Sequence, residues 1–136
     1  MELCEQLKEE YLRELGALMD EYNESSKRKI AEDSEDEAVF EAIKANICDI
    51  FHKVFIVSYN KACRDTGAAD VKLAKLSEVY LDFFFKIPAP WKEKMVKDIE
   101  HGMMEECYKE QIKLEMADSI KGLFIKYYDR FYKEIK

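Results

Sequence analysis

The sequence predicts an all-α protein, an antiparallel bundle of four or five long helices. Apolar side chains recur every three or four residues through most of the chain, as they do on one face of a helix. Only four glycines and two prolines interrupt 136 residues, which favours few, long elements. No segment alternates apolar and polar side chains over the length of a strand. We therefore expect residues 1–136 to form one helical-bundle domain.

The first helix is predicted over residues 2–30, followed by the acidic segment AEDSEDE at 31–37. The helix carries one apolar stripe made of Leu3, Leu7, Tyr11, Leu15, Leu18 and Tyr22. In the acidic segment, Ser34 and Glu37 have the spacing of a capping box, which predicts the start of the next helix. The alternative for this segment is an acidic patch that binds a partner.

The second helix is predicted over 35–66 and the third over 70–86. Between residues 47 and 59 the second helix is apolar nearly all round, which is typical of a central helix with several neighbours. The prolines of IPAP, residues 87–90, are expected to end the third helix.

The last 46 residues, from Trp91 to Lys136, also have a helical pattern, and we expect a bend near His101–Gly102. On the helix wheel of the segment before this bend, Met95, Ile99 and Met103 form the stripe that would face the core. The same wheel places Asp98 and His101 on a charged, solvent-exposed face.

Both histidines end the phrase Asp-Ile-x-His, which suggests a metal site. Asp49 precedes His52 and Asp98 precedes His101 by three residues, so each pair can lie side by side on a helix. Two such pairs are half of a dinuclear centre in a ferritin-like bundle. The candidate ligands, however, do not converge on the helix wheel, so we expect no metal and no cofactor. The candidate ligands are Asp49, His52, Asp98, His101 and Glu105.

The four cysteines, Cys4, Cys48, Cys63 and Cys107, form no C-x-x-C pair. Cys63 or Cys107 with a histidine is a conceivable nucleophile, but no orienting third group is visible, so we expect buried thiols. The N-terminal stretch has no apolar leader, and the longest apolar runs are too short for a membrane span. These features predict a cytoplasmic protein.

Two helices carry more apolar surface than a single core contact needs. Phe83, Phe84 and Phe85 are consecutive and cannot all face one neighbour. The last helix interleaves five aromatics with lysines and arginine over residues 121–136. Core packing and membrane contact are alternatives for that helix. As an interface for a partner or a second copy, we predict Phe85, Tyr127, Tyr128, Phe131 and Tyr132.

The composition favours a binding protein over an enzyme. The formal net charge of -7 argues against direct binding of nucleic acid, and it suits a basic protein partner or mimicry of nucleic acid. We therefore expect a non-enzymatic regulator, adaptor or inhibitor that self-associates through aromatic helix faces, with membrane binding unlikely to contribute. Two alternatives rank below this: a metal-dependent bundle enzyme, and a bundle that holds an apolar small molecule. The lining of such a pocket would be Leu81, Phe85, Trp91, Met95, Met103 and Met104.

Overall fold

The computed structural model describes residues 2–64 and 67–135, and these residues confirm the all-α fold. Five helices form within these ranges and no strand does: α1 (Leu3–Ala31), α2 (Glu35–Cys63), α3 (Ala69–Lys86), α4 (Ala89–Glu100) and α5 (Met104–Ile135). The amphipathic stripes therefore located every helix to within a few residues. Helix α2 is the main difference, because it ends at Cys63 and was predicted to reach residue 66.

The helices form a four-helix bundle in which α3 and α4, one after the other, take the place of the third helix. Helices α1 and α2 are antiparallel, and the Ser26 hydroxyl donates to the Ala38 carbonyl near the turn that joins them (2.8 Å). Helix α5 runs antiparallel to α1, as an Arg130–Glu10 ion pair of 3.3 Å shows. Helices α3 and α4 pack against successive parts of α5. The result is an up-down-up-down arrangement in which each neighbour buries the apolar face of the next.

Two breaks define α4, and both have a chemical cause. Pro88 lies at the junction with α3, where its ring and missing N–H interrupt the helical hydrogen bonds. At the other end Gly102 has φ +68°, a left-handed conformation that glycine adopts without strain. The N–H of Met103 then bonds to the Asp98 carbonyl (2.8 Å), which closes the helix end. The bend predicted near His101–Gly102 is therefore confirmed.

Helix α2 starts at Glu35, as predicted, but without the predicted capping box. Ser34 is the N-cap residue, but its side chain makes no capping hydrogen bond. Glu37 pairs instead with Lys29 at the end of α1, with 3.0 Å between Nζ and Oε2. The predicted capping box is therefore wrong, because the Glu37 carboxylate is bound to a cation on the neighbouring helix.

The core is built around aromatic rings contributed by four helices. Tyr11, Phe55, Tyr80 and Phe124 are each fully buried. The ring centroids of Tyr80 and Phe124 are 4.8 Å apart and nearly perpendicular, the edge-to-face geometry that aromatic pairs prefer. The hydroxyls of Tyr11 and Tyr80 bond to each other, and Tyr80 also donates to the Phe51 carbonyl. The core therefore joins α1, α2, α3 and α5, and α4 adds the partly buried Trp91 to its edge.

Candidate functional site

Helix α4 packs mainly against α5, and it does so with its polar face. The carboxylates of Asp98 on α4 and Glu110 on α5 are buried in this contact, with 6% and 2% exposure of the residues. Lys94 lies between them, 3.0 Å from Asp98 Oδ2 and 3.6 Å from Glu110 Oε1. Lys113 approaches Glu110 Oε1 from the other side at 3.2 Å. Charged groups therefore hold these two helices together where apolar groups would be usual.

The charges in this contact are only partly balanced by hydrogen bonds. Hydrogen bonding to Asp98 raises the pKa of Lys94, so the ammonium group remains charged at neutral pH. The second carboxylate oxygen of Glu110, Oε2, is buried and has no hydrogen-bond partner among the described residues. Burying an unpaired carboxylate oxygen stabilises a folded protein less than burying an apolar side chain would. The polar contact of α4 with α5 therefore differs from the apolar contacts of the core helices.

The opposite side of α4 is apolar and exposed. Val96 and Ile99 are both 54% exposed and three residues apart, so they are neighbours on the helix surface. The turn into α5 continues this exposure with Met103 and Met104. We call these four side chains the α4 surface. Helix α4 thus buries one of its charged side chains, Asp98, while two aliphatic side chains on another face are exposed.

The predicted orientation of α4 is therefore wrong. The wheel placed Ile99 and Met103 toward the core and Asp98 toward solvent, and the structure places each of them the other way. Met95 is half-buried. The reason lies in the partner: the stretch of α5 that faces α4 offers the Glu106 and Glu110 carboxylates to Lys94, and the Lys113 ammonium lies 5.9 Å from the Trp91 ring centroid. A wheel of one helix contains no information about its partner.

Phe85 lies at the end of α3 with 76% of its surface exposed. Phe84 beside it is buried and stacks on Phe51 with 4.2 Å between ring centroids. Asp82 and Lys86 form an ion pair of 2.7 Å on the same helix. Phe85 is thus the most exposed large apolar side chain of the described residues.

The aromatic residues of α5 divide between core and surface. Phe131 is 1% exposed and belongs to the core, so it is unavailable to a partner in this conformation. The Tyr127 hydroxyl donates to Glu14 on α1 (3.1 Å). Tyr128 and Tyr132 are half-buried and stack with 5.7 Å between their centroids. The structure therefore does not bring the five predicted interface residues into one surface.

The Asp-x-x-His phrases do not form the predicted pairs. Asp49 binds Lys53 (2.9 Å), and Asp98 binds Lys94. The Nδ1 atom of His101 lies 2.8 Å from the Lys97 carbonyl oxygen. Among the described residues no three histidine, cysteine or carboxylate side chains are arranged to hold a metal ion. His52 is half-buried and Glu105 is exposed, on different helices.

The clearest apolar groove lies between the end of α1 and the start of α2. It has a volume of about 340 Å³ and is lined by Ile30, Ala38 and Val39, with Glu35 at its edge. Ile30 and Val39 are both exposed. The groove thus adjoins the acidic turn at residues 31–37. The residues predicted to line a ligand pocket do not line it; Trp91, for example, packs on α5, with the Lys113 Nζ 5.9 Å from its ring centroid.

No protein-family model, curated protein or solved structure matches this chain. Within the described residues, no helix combines the length and the apolar character needed to cross a bilayer.

Proposed function

We propose that this protein is non-enzymatic and acts by binding another protein through the α4 surface. The observation that carries the proposal is that α4 leaves the aliphatic side chains of Val96 and Ile99 exposed while the Asp98 carboxylate is buried. Contiguous exposed apolar side chains mark interaction sites in soluble proteins. Covering them gains about 25 cal/mol for each Å² of apolar surface removed from water.

The partner surface for α4 is expected to be apolar with few charges. Helix α4 carries three lysines and three acidic residues, so it is locally neutral although the whole chain has a net charge of -7. Attraction between net charges therefore contributes little to this contact, and its affinity should change only weakly with salt. A second copy of the chain satisfies this description, as does an apolar helix of a different protein.

A photo-crosslinking residue at position 99 tests the proposal in living cells. The matched control is position 57, because Val57 is 58% exposed but lies on α2. We expect a discrete adduct from position 99 and none from position 57. A product with twice the mass of the chain identifies self-association, and any other mass identifies a separate partner.

A substitution completes this experiment. Val96→Lys places a charge in the α4 surface and should abolish the adduct from position 99, because the buried ammonium has no counterion there. Circular dichroism should show unchanged helix content. Equal adducts from positions 57 and 99, or an adduct that survives Val96→Lys, would contradict the proposed surface.

The acidic turn and its groove are a second candidate surface for a protein partner. Glu32, Asp33, Glu35 and Asp36 are exposed beside the apolar groove at Ile30 and Val39. This combination suits a basic amphipathic helix. Binding of a basic helix at this groove would weaken steeply as the salt concentration rises and would be lost in Glu35→Lys. Binding at the α4 surface would change only weakly with salt and would be unaffected by Glu35→Lys.

A further inference from the structure

The start of α1 and the end of α2 bring two thiols together. Cys4 is the second residue of α1 and Cys63 is the last residue of α2, so they are far apart in sequence. The antiparallel packing of the two helices places the Lys8 Nζ 4.6 Å from the Tyr59 ring centroid, and one turn closer to the start of α1 and the end of α2 the same register sets Cys4 opposite Cys63. Both cysteines are reduced, Cys4 is buried and Cys63 is partly exposed. Two sulfurs in contact need little movement to become a disulfide.

The surroundings of Cys4 favour its thiolate form. Position four lies in the first turn of α1, where free N–H groups and the helix dipole attract negative charge. The hydrogen bond from Cys63 lowers the pKa of the Cys4 thiol, and the nearby Lys72 ammonium adds to this effect, while burial opposes it. Lys72 is itself 8% exposed, with its Nζ 3.4 Å from Glu2 Oε2. Cys4 is therefore the nucleophile of the pair.

Cys63 has the complementary property. The hydrogen bond that it donates to Cys4, and then burial, raise the pKa of the Cys63 thiol. Its proton therefore stays on sulfur while Cys4 ionises. A reactive thiolate beside a protonated thiol is the arrangement in which one sulfur is oxidised first and the other completes the disulfide.

A small groove gives access to Cys4. It has a volume of about 160 Å³ and is lined by Leu3, Cys4, Ala69 and Lys72, among others. A water molecule occupies about 30 Å³ in the liquid. Hydrogen peroxide is only slightly larger than water and fits this space.

We propose that Cys4 and Cys63 are a peroxide-reactive pair that forms a reversible disulfide between α1 and α2. The Cys4 thiolate attacks one peroxide oxygen, the O–O bond breaks, and the hydroxide that leaves takes up a proton to become water. The sulfenic acid on Cys4 is then attacked by the Cys63 sulfur, which loses its proton as a second water departs. In sum, two thiols are oxidised by two electrons and one peroxide is reduced to two waters. An external dithiol restores both thiols.

Mass spectrometry of the peroxide-treated folded protein tests the pairing. After alkylation of the remaining thiols and digestion without reductant, we expect a cross-linked peptide pair that contains Cys4 and Cys63. Cys48 and Cys107, which do not line the groove at Cys4 and Lys72, should be recovered as alkylated thiols after unfolding. Oxidation of all four cysteines at equal rates, or a disulfide with any other pairing, would overturn the proposal.

Three variants assign the roles within the pair. In Cys63→Ser, a dimedone adduct should accumulate on Cys4, because the sulfenic acid has no second thiol. In Cys4→Ser, peroxide should leave Cys63 unmodified on the same time scale. Lys72→Met should slow oxidation of Cys4 by roughly threefold or more, because loss of the nearby ammonium raises the pKa of the Cys4 thiol and lowers the fraction present as thiolate.

The matched control for the lysine is Lys75→Met, which removes an exposed ammonium one turn further along α3. In Lys75→Met, Cys4 should be oxidised at the same rate as in the wild type. Equal slowing in both lysine variants would show that Lys72 has no specific effect and would contradict its assigned role. The whole set is independent of the α4 surface, so either proposal can fail without the other.

Discussion

The phenol oxygens of Tyr11 and Tyr80 lie 2.5 Å apart at the centre of the bundle, where neither residue is accessible to solvent. Tyr80 also donates to the Phe51 carbonyl at 3.2 Å. Because a carbonyl can only accept, this geometry uses the Tyr80 proton for Phe51 and the Tyr11 proton for the Tyr80 oxygen. The two hydroxyls thus form a chain from α1 through α3 to α2.

Tyr80→Phe should destabilise the protein more than Tyr11→Phe. The first change leaves the buried Tyr11 hydroxyl without an acceptor, which costs about 1–3 kcal/mol of unfolding free energy. The second leaves Tyr80 still bonded to Phe51 and costs about 0.5–1.5 kcal/mol. Urea unfolding at neutral pH measures both values. Equal losses, or a double variant that loses the full sum of the two, would contradict the directed chain.

Stability should fall as the pH rises above about 10, the ordinary pKa of tyrosine. Burial raises the pKa of Tyr59 to about 12, and burial also raises the pKa of Tyr11 and Tyr80. Below pH 10 both the folded and unfolded chains keep these protons, so the contribution is constant. Above it, the unfolded chain releases protons that the folded chain retains, which favours unfolding.

Urea titrations at a series of alkaline pH values measure this slope. The double variant Tyr11→Phe/Tyr80→Phe is the control, because it removes two of the phenols whose pKa burial raises. Its stability should fall less steeply with pH than that of the wild type. An identical slope would show that these phenols do not govern the alkaline limit.

Alanine should have opposite effects at different glycines. Gly102 has φ +68°, so Gly102→Ala is expected to cost about 1–2 kcal/mol. Gly16 and Gly122 lie inside α1 and α5, and a Cβ there would meet no atom within 4 Å. Gly16→Ala and Gly122→Ala should each stabilise by up to about 1 kcal/mol. Thermal unfolding of the three variants decides the matter; a stabilising Gly102→Ala would contradict the turn geometry.

The anion and the cations of the α4–α5 contact should respond differently to removal. Glu110 is buried with one unpartnered oxygen, so Glu110→Met should change stability by less than about 1 kcal/mol or increase it. The double variant Lys94→Met/Lys113→Met should be destabilised, because Glu110 and Asp98 then remain buried without their cations. Urea unfolding at pH 7 compares them, and a larger loss for Glu110→Met would refute this balance.

The fold could be predicted from the sequence because the spacing of apolar residues, together with proline and glycine between the helices, determines where each helix lies. Each apolar stripe located a helix, and Gly102 marked a real bend. The orientation of α4 could not be found in this way. The charge at position 94 is complementary to those at 106 and 110, and pairing the two helices would have revealed the contact.

The site residues were harder to predict because they depend on contacts between distant parts of the chain. Cys4 and Cys63 have no local motif, and only the antiparallel packing of two long helices joins them. Phe131 and Tyr128 both lie in the stretch of α5 where aromatic and basic residues alternate, but Phe131 packs in the core. Asp49 and Asp98 lie one helical turn from a lysine as well as from a histidine, and each binds the lysine.

The break at Pro88 divides the molecule into regions of unequal local stability. The aromatic core ties α1, α2, α3 and α5 into one cooperative unit, and α4 adds Trp91 to its edge. The contact between α4 and α5 also includes ion pairs from Lys94 to Glu106 and Glu110. Salt screens such ion pairs more strongly than it affects aromatic packing. We expect α4 to open at a lower free energy than the rest of the bundle. A partner bound to the α4 surface would raise that local free energy of opening and slow amide hydrogen exchange within α4.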